Sequence, residues 1–383
     1  MFKLKFSAVS EGRDNNFDFL RFLFAALVIF SHSYGFLPTL HGTVVDGEDP
    51  LGHLSKGQIA FGGFCVDCFF LLSGFLVTKS WISSRSLGDF AKKRVLRIFP
   101  GLCVVLIFCT FVIGPLCTTE LASYFHQKLT YAYLFFMLRG SLHVADHLPG
   151  VFIHNPWPVR VNGSLWTIRY ELICYALVAL FGCLRVYRHP LIVLALGALL
   201  LSLNWGRLDF LHSSQALADF LQTFSYFVLG MVMCLYRDRI PYSRALLVVS
   251  LASLLVFDLI GELRLVLPVA TAYTVFYIAF WKRLPLQKFA RPGDFSYGLY
   301  LYAFPIQQTL VYFYAPHLGP VTLTLAAFLI TLALAVLSWN FVEKPCLRLK
   351  RGASWLTGRL RWWPARSAQP EALAETEMSG TPT

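Results

Sequence analysis

The chain has 383 residues, of which 56% are apolar and only 14% charged, with a mean hydropathy of +0.59. A soluble globular protein carries about a quarter charged residues, so a soluble enzyme, a disordered regulator and a secreted disulfide scaffold are all excluded. The 16% aromatic content, dominated by 35 phenylalanines, suits lipid-facing helices and interfacial belts. The expected class is an all-α polytopic membrane protein.

A spanning helix needs about 20 mostly apolar residues. In chain order the candidate spans are Phe17–Phe36, Gln58–Trp81, Ile98–Cys117, Leu165–Leu184 and Pro190–Trp205, then Phe220–Tyr236, Ser243–Leu259, Leu265–Trp281, Ser296–Tyr314 and Val321–Phe341. Tyr131–Leu138 is too short to span and is expected to be interfacial or re-entrant. The first span is too long for a signal peptide and no cleavage site follows it. With the N-terminus in the cytoplasm, twenty-four Lys and Arg fall in cytoplasmic segments and six in outer loops. That bias is the one the positive-inside rule expects. It predicts ten transmembrane helices with both termini cytoplasmic, and it assigns the net charge of +12 to topology and anionic lipid rather than to nucleic acid. Residues 1–16 read as a cytoplasmic segment, 17–345 as the membrane domain and 346–383 as a basic, then disordered, tail.

Ionisable residues inside a span cost about 2.5–3.5 kcal/mol each and therefore mark candidate sites. Asp18, Arg21, Ala25, Val28 and His32 recur at helical spacing, so one stripe of the first span should face the bundle interior. Arg21 and His32 lie about 16 Å apart along it at 1.5 Å per residue. A packing ion pair between Asp18 and Arg21, with His32 a satisfied buried donor, is the plainer reading of the same residues. Arg94 and Arg97, in AKKRVLRIFP, are three apart in the cytoplasmic loop entering the third span. There they could engage a phosphate together or merely add positive-inside charge. On the outer side, NGSLWTIRYELICYAL offers Trp166 as an interfacial anchor, with Arg169 and Glu171 on different faces. Glu171 could orient an imidazole, contact a polar acceptor, or simply sit at a solvated helix start. Cys65 and Cys68 form a CxxC within an apolar helix that has no second ligand pair, so no metal site is expected.

Five ordered segments, FDFLRFLFAALVIFSHS, GGFCVDCFFLLSGFLVT, FAKKRVLRIFP, NGSLWTIRYELICYAL and FSYGLYLYAFPI, with a weaker FVEKP, span residues 17 to 345. In this series the chain resembles the membrane acyltransferase 3 family of O-antigen, exopolysaccharide and Nod-factor O-acyltransferases. The resemblance implies an acyl-CoA co-substrate, with acetyl the commonest group, no tightly bound cofactor, and a carbohydrate hydroxyl as acceptor at a bacterial inner membrane. It matches the family's first-span histidine, regarded as catalytic, to His32. It also matches the arginine of its LR pair to Arg21 and its RxxR motif to Arg94 and Arg97. Many relatives carry a further histidine where Ala303 follows Tyr302 here. Longer relatives carry a fused hydrolase-like domain, and this chain looks like a stand-alone transferase.

On this reading the catalytic candidates are His32, Arg21, Asp18 and Glu171. Arg94 and Arg97 bind the donor, and Trp166 and Arg169 lie on the acceptor side. An imidazole of ordinary pKa about 6.5 suits a base near neutral pH. His32 would either deprotonate the hydroxyl or first take the acyl group itself. The rival is a transporter or flippase of a lipid-linked saccharide, which ten spans with buried charges would also suit.

Overall fold

The computed structural model describes residues 5–6, 15–37, 48–138, 147–205, 214–283, 286, 289 and 292–349. Residues 1–4 and 7–14 of the expected N-terminal segment, and the tail from 350 onward, lie outside the described residues.

Ten principal helices run through the described residues: α1 (Phe17–Gly35), α2 (Phe61–Ser83), α3 (Leu87–Phe108), α4 (Trp166–Cys183), α5 (Pro190–Trp205), α6 (Gln215–Leu235), α7 (Arg244–Leu259), α8 (Leu267–Ala279), α9 (Ser296–Tyr314) and α10 (Pro320–Ser338). The only β pairing among the described residues is a pair of isolated bridges, Lys5 with Pro241 and Thr118 with Val151. Six helical segments are long and apolar enough to cross a membrane: Phe17–Gly35, Phe61–Ser83, Leu87–Cys117, Gly163–Cys183, Gln215–Leu235 and Pro320–Arg348. Pro190–Trp205 and Leu267–Ala279 are shorter apolar helices. Tyr131–Leu138 falls in two short helical pieces, Lys128–Ala132 and Tyr133–Leu138, neither of spanning length.

One boundary differs from the sequence expectation in a way that matters. The segment AKKRVLRIFP is not a loop but lies within α3, which begins at Leu87. The Ser86 hydroxyl caps it by accepting from the Asp89 N–H at 3.1 Å, and α3 then carries straight through Pro100. Charged residues obscured this start, because the apolar run begins only at Ile98.

The bundle is built on close backbone approach. A Cβ at Gly74 would lie 1.9 Å from the Phe227 carbonyl oxygen, and one at Gly230 would lie 2.0 Å from that of Leu71. Only glycine lets α2 and α6 come so near, the packing device typical of membrane helices. α1 is held between α2, α9 and α10, and its start is pinned by Asn16, whose side-chain amide donates to the Ile278 and Trp281 carbonyls. α7 has no buried residue and packs chiefly on α8, so Val248, Leu255 and Leu259 lie exposed on its outer face.

Two helices are interrupted by π-turns. α3 continues through Cys109–Ile113 to Gly114–Cys117, and the Tyr124 hydroxyl donates to the Thr110 carbonyl there at 2.8 Å. α10 continues through Trp339–Glu343 to Lys344–Arg348. A π-turn inserts one residue and rotates everything after it. The second one turns Glu343 inward, where it is 2% exposed and accepts from the Ser338 hydroxyl at 3.0 Å.

Candidate active site

The stripe read from α1 is largely interior. Ala25 and Val28 are buried, together with Phe17, Leu20 and Phe24. Asp18 departs from the expectation: its side chain is half exposed and lies 3.8 Å from the Arg21 guanidinium. It sits in the first turn of α1, where a carboxylate favours the helix N-terminus without entering the bundle.

A cavity of about 130 Å³ lies between α1, α2, α3, α4 and α9. Arg21, Arg94 and Arg97 all line it, and so do Glu171 and Tyr175 of α4 and Tyr297 and Tyr300 of α9. Apolar wall comes from Val66, Phe69, Phe70, Leu76, Val77 and Ile168. Bringing Arg21, 73 residues before Arg94 in sequence, onto the same wall is the work of α9, which packs on both α1 and α3.

The residue that joins the arginines is Asp294, just ahead of α9. Its Oδ2 accepts from Arg21 Nη1 at 2.8 Å and from Arg97 Nη2 at 2.6 Å. Its Oδ1 accepts from the Ser296 hydroxyl at 2.6 Å. Burial opposes ionisation here, but the two guanidinium groups outweigh it and hold the Asp294 carboxyl well below the usual carboxylate range. Arg97 also approaches Glu343, with Nη1 to Oε2 at 4.0 Å, and its guanidinium stands 5.5 Å from the Tyr297 ring centre. Sequence reasoning passed over both carboxylates. Asp294 precedes an apolar run without belonging to it, and Glu343 is turned inward only by the π-turn.

Arg94 differs from its neighbour. Its Nη2 donates to the Ser80 hydroxyl at 3.3 Å. The guanidinium carbon lies 5.5 Å from the Tyr175 ring centre and 5.9 Å from that of Phe90. Arg94 Nε is buried without a hydrogen-bond partner, and Arg94 makes no ion pair among the described residues.

Glu171 accepts a short hydrogen bond from the Tyr175 hydroxyl. Its described hydrogen bond is thus to Tyr175, while His32 Nδ1 has no hydrogen-bond partner. His32 is absent from the cavity wall. Its ring packs against Phe36, Trp157 and Phe304, with centroids 6.4, 5.9 and 5.6 Å away, and its Nδ1 is buried without a partner. Phe304 lies one helical turn beyond Tyr300, which lines the cavity together with Thr167. The Thr167 and Tyr300 hydroxyls are 2.7 Å apart.

Trp166 and Arg169 turn the other way. The Trp166 ring packs on Tyr170 at 5.6 Å, and Arg169 lies 4.7 Å from the same ring centre and donates to its hydroxyl. Tyr170 in turn donates to the Ala216 carbonyl at 2.8 Å. The structure therefore brings Arg21, Arg94, Arg97 and Glu171 to one cavity, leaves His32 off its wall, and places Trp166 and Arg169 towards α6. Among the described residues no group of three or more His, Cys, Asp or Glu converges to hold a metal, and Cys65 and Cys68 are buried free thiols.

Comparison with known proteins gives a consistent picture. The profile of an acyltransferase domain, that of the acyltransferase 3 family, matches residues 14–340. An O-acetyl transferase of Shigella phage Sf6 is 30% identical over 343 residues, covering 87% of this chain and 96% of the relative. Nodulation protein 10 of Rhizobium leguminosarum bv. viciae is 29% identical over 373 residues, covering 89% and 95% respectively. No solved structure matches the chain. With the family profile matching from before α1 to within the last span, around a cavity lined by arginines from α1 and α3, the chain belongs to the acyltransferase 3 family.

Proposed function

We propose that the protein is a membrane O-acyltransferase, in the first instance an O-acetyltransferase, that moves an acyl group from acyl-CoA to a hydroxyl of a cell-surface carbohydrate such as O-antigen or exopolysaccharide. The observation that carries this reading is the cavity whose wall brings Arg21, Arg94 and Arg97 together with the apolar side chains of α2. A CoA thioester has that polarity, with phosphates at one end and a slender pantetheine arm at the other. Guanidinium groups match phosphate geometry. The name of the phage relative, an O-acetyl transferase, supports the acyl group, and the resemblance to O-antigen, exopolysaccharide and Nod-factor O-acyltransferases supports a carbohydrate acceptor.

In this reading ten helices cross a bacterial inner membrane with both termini cytoplasmic. The donor then enters at the face where Arg94 and Arg97 lie. His32 takes the proton of the acceptor hydroxyl as its oxygen attacks the thioester carbonyl, and that proton passes to the departing CoA thiolate as the C–S bond breaks. Acyl transfer first to the imidazole and then to the hydroxyl balances equally well. Trp166 and Arg169 serve the acceptor side.

The test is mass spectrometry of surface polysaccharide and lipopolysaccharide from cells carrying the wild-type protein, His32→Ala or no protein. An acetyl-sized increment present only with the wild type is expected, with His32→Ala reaching the membrane in normal amount. Equal acylation in all three samples, with saccharide stranded at the wrong face when the protein is missing, would replace the transferase with a flippase.

A further inference from the structure

Three guanidinium groups share the cavity wall, but their electrostatic situations are not alike. Arg21 and Arg97 converge on one oxygen of Asp294, at 2.8 and 2.6 Å, and Arg97 has Glu343 on its other side. Two cations and two carboxylates thus form one linked set, with Asp18 also 3.8 Å from Arg21, tied down further by the Ser296 and Ser338 hydroxyls. A guanidinium so paired has its charge already compensated by carboxylate, which leaves little of it for an anionic ligand. Arg94, one turn earlier on α3, has neither an ion pair nor a partner for its buried Nε. Buried polar groups are ordinarily satisfied, and an exception needs a reason. The Tyr175 and Phe90 rings lie within cation–π range of the guanidinium, which favours a fixed charge with its N–H edges open. The carboxylate on the same wall, Glu171, is engaged by the hydroxyl of Tyr175, the residue whose ring faces Arg94.

We infer that the two arginines of the RxxR segment divide the work, Arg94 gripping the anionic group of the ligand while Arg97, Asp294, Arg21 and Glu343 form an ion-paired brace that positions α1, α3, α9 and α10 around it. This rests on the reading of the cavity as the donor site and assigns its anion contact to one residue. Asp294 becomes a positioning residue: it acts on the ligand only through the arginines it holds.

The experiment uses the full chain in detergent, with CoA as probe and pantetheine, which has no phosphate, as control. Arg94→Gln should weaken CoA binding by about tenfold or more, a loss of about 1.4 kcal/mol per tenfold, while leaving pantetheine binding and the melting temperature unchanged. Arg94→Lys should weaken CoA clearly with little change in melting temperature, because the fork is lost, whereas Arg97→Lys, which loses the bridge between Asp294 and Glu343, should lower the melting temperature more than it weakens CoA. Thermal stability supplies a readout independent of ligand. In double-mutant cycles, Arg97→Gln and Asp294→Asn should be strongly non-additive, while Arg94→Gln and Asp294→Asn should add. Equal loss of CoA affinity in the two Lys variants, or coupling of Asp294 to Arg94 as strong as to Arg97, overturns the division of labour. Failure of the wild-type chain to bind CoA at all instead overturns the donor reading, with the brace still testable through the Arg97–Asp294 cycle.

Discussion

Asp294 shows how one side chain joins segments far apart in sequence. Its carboxylate receives arginines from α1 and α3 while its own backbone leads into α9. Removing one partner of a buried charge set leaves uncompensated charge and costs about 3–5 kcal/mol. Asp294→Asn should therefore lower the melting temperature in detergent at neutral pH. The acid side carries a signature of its own. Because Asp294 is held below its unfolded pKa of about 3.9, its contribution is complete above that value and is lost as pH falls through it toward the folded pKa. Stability of the wild type should thus begin to fall below about pH 5 and go on falling toward the folded pKa, and Asp294→Asn should flatten that fall. An acid limb of equal steepness in the two proteins would mean that other carboxylates control it.

The same residue scale explains what sequence could and could not reveal of the site. Arg21 stood out as a charge inside an apolar run and Arg94 and Arg97 as a pair at phosphate-gripping spacing, and all three line one cavity. Asp294 and Glu343 gave no such signal. One stands in a connecting segment, and the other belongs to a helix end whose inward turn depends on an inserted residue. His32 was legible as a buried polar group, but its aromatic surroundings, Phe36, Trp157 and Phe304, come from three separate segments.

Among elements, the α2–α6 contact has the least tolerance. Gly74 and Gly230 each face the partner's backbone at a distance where no Cβ fits, and backbone, unlike a flexible side chain, cannot move aside locally. Gly74→Val should therefore separate the two helices and lower the melting temperature substantially. Gly63→Ala, where a Cβ meets nothing within 4 Å, should leave it within a few degrees. Melting curves of the two variants in detergent check this, and a similar loss in both would assign the effect to helix propensity instead of packing. The two π-turns also belong at this scale. Tyr124 supplies a hydroxyl to the carbonyl that the first one frees, and the second delivers Glu343 to Arg97. No residue pattern along either helix announces them, because an inserted residue leaves the hydrophobicity of the segment unchanged.

At the scale of the whole molecule, orientation is the property most open to a direct check. Twenty-four Lys and Arg on the proposed cytoplasmic side against six outside predict that reporters fused after residue 383 and after Arg239 both report a cytoplasmic location, and one inserted at Lys56 an external one. Opposite locations for Arg239 and the C-terminus would remove a span between them. Charge bias along the chain is sufficient for this prediction because insertion reads each loop locally.

The amino-acid sequence by itself determined the helical, membrane-suited class, the approximate places of ten helices, and the arginines of the site. Those properties depend on local hydropathy and on charge placed where lipid would penalise it. Only the tertiary structure decided that α3 begins before its basic cluster, that Asp294 and Glu343 engage Arg97 while Arg94 does not, and that the cavity wall takes in Tyr300 but not Phe304, the ring touching His32. Those depend on which helix faces which, and hydropathy along a single segment carries no information about the segment that packs against it.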